Sequence, residues 1–351
     1  MDFTPTEEQA AARDLAARIF GDLSTPERLA AARTGSDAEL WKALCAAGLV
    51  TAVLDVGLLG LVLLLEEQGR ATAQVPYASS CVYGLLAVTA HGSAEQRERL
   101  LPGIGDGSAV VAGALPSTGG VRADPEGELT GTVPVVPWLR EATHVLVADD
   151  RRRLWLVRTA DAGCEPVELT APWSAGRLTL DAAPAERLGS PGAYDDVLAT
   201  ARTAFAGLQA GVCAGALARA VAHTNTREQF GRPLAAKQGV QLKAADAHMD
   251  TEAIRVTAYE AAWRRDAGLP YATHALTAAW WASEAGARVV HTGQHLHGGA
   301  GADLEHPVHR HFLWGRQLDA YLGCGSEVLQ ELGELIVNAD VNGDVNGEGA
   351  E

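Results

Sequence analysis

The chain is poor in aromatic residues and in positive charge. Only 5% of its 351 residues are aromatic, and its 28 Lys and Arg residues are outnumbered by 44 Asp and Glu residues, for a net charge of −16. An acidic protein has no electrostatic attraction to a nucleic-acid backbone or to an anionic membrane surface. We therefore predict that the chain binds neither nucleic acid nor membrane.

Long hydrophobic segments and cysteine motifs are also missing. The longest apolar run, Val56 to Leu65, is too short to cross a bilayer and predicts a buried helix. The N-terminus has no basic region followed by an apolar core, so no signal peptide is indicated. The spacing of the five cysteines matches no metal or redox motif, which is typical of reduced cysteines in a cytoplasmic protein. They are Cys45, Cys81, Cys164, Cys213 and Cys324.

The residues that are present indicate a globular protein of several domains. Apolar residues make up 47% of the chain. Helical patterns predict an all-helical domain over 1–107 and a helical bundle of the four-helix type over 191–337. Short runs rich in Val, Leu and Thr predict an antiparallel β-domain of about six strands over 108–190. Because the strands form one block, the fold class is α+β. The acidic segment 338–351 is predicted to be disordered.

One stretch near the middle of the chain has the composition of a phosphate-binding turn. Arg227 is predicted at the end of a helix, Gly231 in a tight turn, and Pro233 in the first turn of the next helix. The Phe230 ring and the Gln229 amide lie beside the arginine in sequence. Such a group suits a phosphate with a flat base next to it. The alternative is a helix-capping arginine with a core phenylalanine.

A glycine-rich segment follows a later helix. In "HLHGGAG", residues 295–301, paired glycines allow close approach to the backbone, whose free N–H groups can meet a phosphate. The alternative is a plain helix C-cap with a tight loop. His291 and His295 lie one helical turn apart, but no carboxylate or cysteine completes a ligand set, so we predict no metal site.

Both stretches resemble signatures of the acyl-CoA dehydrogenase family, flavoenzymes that oxidise acyl-CoA thioesters. "REQFGRPLAAKQGVQ" and "GSAEQRERLLPGI" are similar to family segments, and the order of helical, β and helical blocks is the family layout. The resemblance implies that Arg202 helps to bind CoA. It also implies that one set of residues lines the ADP part of an FAD held mainly by a neighbouring subunit. These are Arg227, Gln229, Phe230, Gln238, His295, Gly298 and Gly299.

The carboxylate that the family reaction needs is missing from both usual positions. One position follows a Tyr in a "YEGT" motif and is Leu322 here; the other precedes the CoA-binding arginine and is Ala201. Neither side chain can accept a proton. The strand that faces the flavin in the family aligns with Val135-Val136-Pro137, where proline replaces a hydrogen-bonding threonine.

This combination resembles the base-lacking subunit type of heterotetrameric actinobacterial acyl-CoA dehydrogenases that degrade steroid side chains. The resemblance implies a two-plus-two assembly, an FAD shared across the interface, an acyl-CoA substrate, and an electron-transfer flavoprotein or similar acceptor. One alternative is a self-sufficient homo-oligomer whose base is Asp319 or Glu327. Others are a structural or regulatory subunit, or a different flavin reaction on the same fold.

Overall fold

The computed structural model describes residues 2–304 and 306–347, with side chains to residue 338. The first block is helical, as predicted. A π-helix, Ser80–Leu86, joins its fifth and sixth helices, and Gly57, with φ of 71°, kinks the fourth. The helices are α1 (Glu7–Leu23), α2 (Pro26–Ala32), α3 (Ala38–Ala46), α4 (Val53–Ala71), α5 (Tyr77–Ser79), α6 (Ala87–His91) and α7 (Ala94–Asp106).

The middle block is a sheet of seven strands in the order β1-β4-β5-β7-β3-β2, with β6 also paired to β7. The pairing is antiparallel, as predicted, between all neighbouring strands of this sheet except β1 and β4, which pair in parallel. The chain between them crosses the sheet through β2 and β3 before it returns. The strands are β1 (Val111–Ala114), β2 (Val121–Ala123), β3 (Glu128–Val136), β4 (His144–Ala148), β5 (Leu154–Arg158), β6 (Gly163–Val167) and β7 (Ala175–Leu188).

The last block is a helical bundle around α8, which is buried over most of its length. Among the described residues, α8 alone is long and apolar enough to cross a membrane, and 72% of its most apolar window is buried inside the protein. That burial is typical of a core helix. The elements are α8 (Ala193–Thr226), β8 (Glu228–Gln229), β9 (Arg232–Pro233), α9 (Gln238–Asp266), α10 (Ala272–His297), α11 (Val308–Leu318) and α12 (Gly325–Gly347).

Helix α12 enters the segment 338–351 that the sequence predicts to be a disordered acidic tail. The side chains from 339 onward, and residues 348–351 altogether, lie outside the described part of the chain. The disordered tail therefore stays a prediction.

Helices α4 and α8 cross at glycines that let the backbones touch. A Cβ on Gly211 would lie 2.1 Å from the carbonyl oxygen of Glu66, and one on Gly69 would lie 2.3 Å from that of Leu208. Backbone atoms cannot move aside as the end of a flexible side chain can. The close crossing therefore depends on the absence of a side chain at Gly69 and at Gly211.

We expect Gly211→Ala to lower the free energy of unfolding by about 1–3 kcal/mol, because the added methyl group forces two packed helices apart. Denaturant titration measures the change. Gly333→Ala on α12 is the matched control, since nothing lies within 4 Å of its Cβ position. The control should stabilise the protein by up to about 1 kcal/mol, through helix propensity alone. Equal effects of the two substitutions would contradict the steric account.

His311 predicts a pH-dependent stability. Its ring is 1% exposed, and its Nε2 lies 3.0 Å from the carbonyl oxygen of Arg70, to which the neutral imidazole donates. Burial lowers the pKa of His311 from the ordinary 6.5 to about 4. As pH falls below 6.5 the unfolded chain takes up the proton first. The contribution of His311 to the free energy of unfolding is thus fully present above pH 6.5. This contribution, about 3 kcal/mol, is lost as the pH falls from about 6.5 to 4.

Unfolding of the wild type and of His311→Gln at several pH values checks this expectation. The wild type should lose more stability across that window than the variant, which has no imidazole to protonate. Parallel pH profiles would show that another group dominates the acid sensitivity.

Candidate functional site

The Arg227 stretch forms a β-hairpin at the end of α8. Arg227 is the C-terminal cap of the helix, and its N–H donates to the carbonyl oxygen of His223 at 2.8 Å. Strands β8 and β9 pair across a two-residue turn in which Phe230 and Gly231 have φ of 58° and 75°. Two consecutive positive φ values define the tight turn that matches strand twist in hairpins. The turn predicted at Gly231 is confirmed.

Pro233 lies in β9 and not in the first turn of a helix, so that expectation was wrong. The hairpin needs its second strand, and a 3-10 turn, Leu234–Ala236, follows before α9 begins at Gln238. The Leu234 N–H donates to the carbonyl oxygen of Arg227 at 2.9 Å. This bond closes the hairpin on the end of α8.

Phe230 is not a core residue. Its side chain is 92% exposed, and Lys237 Nζ lies 4.8 Å from the centroid of its ring. The backbone of Phe230 has a left-handed conformation that non-glycine residues rarely adopt. An exposed aromatic ring with a cation beside it is suited to stack on a flat base.

The second stretch ends α10 and turns at the paired glycines. Gly298 has φ of 63°, and a 3-10 turn, Gly298–Ala302, follows. Nothing lies within 4 Å of the Cβ position of Gly298 or of Gly299. Close packing inside the chain therefore does not account for these glycines. They leave the backbone open to an outside group.

The fold brings the two stretches together around one surface cavity of about 550 Å³. Of the seven predicted contacts, Phe230 and Gln238 lie outside the cavity lining. No acidic side chain is among the described residues of the lining, and its guanidinium, imidazole, amide and backbone groups suit a diphosphate. It consists of His223, Arg227, Gln229, Leu234, Val240, His295, Leu296, His297, Gly298, Gly299 and Ala300.

Sequence reasoning missed His223, which lines this cavity. Its ring stacks on that of His297, with centroids 4.6 Å apart and planes at 27°. The His306 ring meets His297 edge-on at 4.8 Å. Burial lowers the pKa of His297, and the nearby His223 and His306 lower it further. The sequence spacing could have indicated His223, because it precedes Arg227 by one helical turn and therefore lies on the same face of the helix.

Arg202 does not reach this cavity. Its guanidinium is 6% exposed and forms a bidentate ion pair with Glu331, at 2.9 and 2.7 Å, while its Nε donates to the carbonyl oxygen of Leu322 at 3.3 Å. The guanidinium lowers the pKa of Glu331. Contact with CoA would require this ion pair to open, so the CoA role of Arg202 stays a prediction.

The two usual base positions, Ala201 and Leu322, lie in the hydrophobic core at 0% and 5% exposure. An aromatic cluster fills the space beside them. Tyr321 contacts the Phe205 ring at 4.8 Å and its hydroxyl lies 3.1 Å from that of Tyr83. Burial raises the pKa of both tyrosines, so both phenols are protonated at neutral pH.

Two indoles extend this aromatic cluster. Trp173 meets Trp314 edge-on at 5.2 Å and Tyr321 at 6.4 Å. The two tryptophans are 3% and 0% exposed. Rings and aliphatic groups therefore occupy the region where the family places a proton acceptor.

The two alternative carboxylates are engaged nearby. Asp319 forms an ion pair with Arg316 at 2.6 Å, and Glu327 accepts the N–H of Cys324 at 3.0 Å. Burial raises the pKa of Asp319. Glu327 Oε2 lies 3.8 Å from the Cβ position of Gly323, so its carboxylate comes near the segment after Leu322.

In the histidine-rich region the described side chains form no cluster of metal ligands. The ring of His291 packs against Phe312 at 4.9 Å. In the part of the chain that the structure describes, no group of three or more His, Cys, Asp or Glu side chains could hold a metal ion.

Comparison with known proteins identifies the family. Residues 6–108 match the acyl-CoA dehydrogenase N-terminal domain and residues 193–332 the acyl-CoA dehydrogenase C-terminal domain. Acyl-CoA dehydrogenase FadE27 of Mycobacterium tuberculosis is 33% identical, over 95% of this chain and 98% of the relative.

Two solved structures are similar over nearly the whole fold. A variant of the Tcur3481–Tcur3483 steroid ACAD has a TM-score of 0.91 and 42% identity, with 95% of this chain and 99% of that chain covered. The ChsE4–ChsE5 complex from Mycobacterium tuberculosis has a TM-score of 0.90 and 31% identity, with 96% and 99% covered. The chain therefore belongs to the acyl-CoA dehydrogenase family of oxidoreductases.

Proposed function

We propose that this chain is one subunit of an FAD-dependent acyl-CoA dehydrogenase and completes the FAD site of a partner subunit that supplies the catalytic glutamate. The complex introduces an α,β double bond into an acyl-CoA. One observation carries the proposal: the chain combines a formed cavity of dinucleotide-binding character with apolar, buried residues at both base positions.

The cavity at Arg227 supports the cofactor part of the proposal. Arg227 offers a planar fork of donors to a phosphate, and the open backbone of Gly298 and Gly299 offers N–H groups. The Phe230 ring is exposed to solvent, and its chain neighbour Gln229 lines the cavity. A stacked adenine would cover that ring, a contact worth about 1 kcal/mol beyond the buried area.

The core at Ala201 and Leu322 supports assigning the base to a partner. The family reaction removes a proton from the carbon next to the thioester carbonyl, and a carboxylate must lie within hydrogen-bonding reach of it. Bound FAD supplies the hydride acceptor. In this chain Leu322 and Ala201 offer no proton acceptor, and Tyr321 is held protonated by burial.

The proposed substrate is a bulky, steroid-derived acyl-CoA, and the proposed assembly has two chains of each of two types. The support comes from the relatives, of which one is a steroid ACAD of two named components and another is a two-component complex. The proposed electron acceptor is an electron-transfer flavoprotein or a similar protein.

The principal alternative is a homo-oligomer that carries its own base. Glu327 is the residue that favours it, because its carboxylate approaches Gly323, directly after Leu322. A purely structural subunit is the other alternative, and it predicts that the Arg227 cavity faces solvent in the assembled complex. The first alternative predicts a homo-oligomer that carries FAD by itself, and the second predicts a complex whose FAD content does not depend on Arg227.

Co-expression of this chain with each acyl-CoA dehydrogenase-type gene near its own tests the proposal. A tag on this chain should retain a second family member that has the catalytic glutamate, together with FAD. Recovery of a flavin-loaded homo-oligomer would instead support the self-sufficient enzyme. Recovery of a complex whose FAD is unaffected by changes at Arg227 would support the structural subunit.

A further inference from the structure

Phe230 combines an exposed aromatic ring with a strained backbone. Its side chain is 92% exposed, whereas every other Phe, Trp and Tyr among the described residues is buried or partly buried. Its φ of 58° places it in a hairpin turn position at which glycine, asparagine and aspartate are preferred. A costly conformation that also exposes an apolar ring has no packing benefit within the chain. It therefore indicates a function for the ring.

Lys237 contacts one face of this ring. Its Nζ lies 4.8 Å from the centroid of the Phe230 ring, within the distance of about 6 Å over which an aromatic face attracts a cation. Lys237 is partly buried, so part of its hydrocarbon stem lies against the protein while the ammonium group reaches the ring.

Hydrogen bonds fix the backbone on both sides of this contact. The N–H of Lys237 donates to the carbonyl oxygen of Leu234 at 3.0 Å. The carbonyl oxygen of Lys237 accepts the N–H groups of Val240 at 3.0 Å and of Gln241 at 3.2 Å. Strands β8 and β9 hold the two ends of the turn that carries Phe230. The ring and the ammonium group therefore project from two ordered supports.

The contact belongs to the hairpin that helps to form the FAD cavity. Gln229 and Leu234 line that cavity, whereas Phe230 and Lys237 do not. The ring is therefore available to a part of the dinucleotide other than the part that occupies the cavity.

A cation on one face of an aromatic ring favours stacking of a base on the other face. An exposed side chain loses rotamer freedom when a ligand stacks on it, and Lys237 restricts the Phe230 ring before the ligand arrives. The cation also attracts the π electrons of the ring. This attraction reduces the repulsion between the negative face of the ring and that of a stacked base.

We propose that Lys237 is a positioning residue for the cofactor and holds the Phe230 ring for stacking by the adenine of the shared FAD. This inference rests on the proposed function, since it concerns the same dinucleotide. Lys237 takes no part in the chemical step. Its effect is on the affinity for FAD.

FAD titration of the assembled complex, stripped of its flavin, tests the proposal. Lys237→Met keeps the length of the side chain and removes its charge, and it should weaken FAD binding by about two- to fivefold. Lys237→Arg should retain the affinity, because a guanidinium also binds to an aromatic face. Lys243→Met is the matched control, since Lys243 is an exposed lysine near the start of α9 and does not line the cavity. Flavin fluorescence measures the affinity, and thermal unfolding checks each variant.

A double-mutant cycle with Phe230→Leu separates action through the ring from direct attraction of the diphosphate. In the Phe230→Leu background, Lys237→Met should have no further effect on FAD affinity. A loss of the same size in both backgrounds would overturn the proposal, because Lys237 would then act on the diphosphate directly. Full affinity in Lys237→Met, or a Lys237→Arg variant that binds no better than Lys237→Met, would overturn it too.

Arg227→Ala distinguishes failure of this inference from failure of the proposed function. An FAD affinity that depends on Arg227 but not on Lys237 contradicts the role of Lys237 alone. An FAD affinity that depends on neither residue contradicts the shared FAD site itself.

Discussion

Arg227→Ala in the assembled complex is expected to weaken FAD binding by about 10- to 100-fold. Arg227 lines a cavity in which no described lining residue is acidic, and a charge-assisted hydrogen bond of this kind contributes about 1.5–3 kcal/mol. The flavin absorbance of the purified complex, and its loss on dialysis, measure the effect. The fold should be unaffected, because the side chain is exposed.

Arg232→Ala is the matched control for this experiment. Arg232 lies in the opposite strand of the same hairpin, is exposed, and does not line the cavity. The control should keep its full FAD content. Equal loss of FAD from both variants would show that overall charge, and not the position of Arg227, governs cofactor binding.

Removing the carboxylate of Asp319 or of Glu327 is expected to leave turnover of the complex unchanged. Asp319 is paired with Arg316 and Glu327 accepts a backbone N–H, and the proposal assigns proton abstraction to the glutamate of the partner subunit. Replacing the partner's catalytic glutamate by glutamine should instead slow turnover by about 100- to 10,000-fold, the contribution of a positioned general base. Steady-state rates with an acyl-CoA and a dye acceptor measure both effects.

Asp319→Asn and Glu327→Gln are the informative variants in this chain, since each keeps the size of the side chain. A large loss of turnover with unchanged FAD content in either variant would identify a relocated base. That outcome would favour the self-sufficient enzyme over the shared site.

Local patterns predicted the parts of the site that are continuous in sequence. The turn at Gly231 followed from the need for positive φ, and the open loop at Gly298 followed from a glycine pair after a helix. The error at Pro233 was also local. Proline suits the first turn of a helix and the second strand of a short hairpin equally well, and sequence alone does not distinguish the two.

Long-range contacts account for what the sequence did not predict. The ion pair between Arg202 and Glu331 joins residues 129 positions apart. The aromatic cluster gathers Tyr83, Trp173 and Tyr321 from three separate parts of the chain. The parallel pairing of β1 with β4 depends on how the chain between them crosses the sheet. None of these has a local signal, because each is fixed by tertiary packing.

The ratio of FAD to protein, in this chain purified alone and in its complex, tests the shared-site account most directly. The account predicts a colourless chain that does not desaturate an acyl-CoA, and a complex with one FAD for each pair of unlike chains. A chain that purifies alone with one FAD per polypeptide and desaturates an acyl-CoA would contradict it.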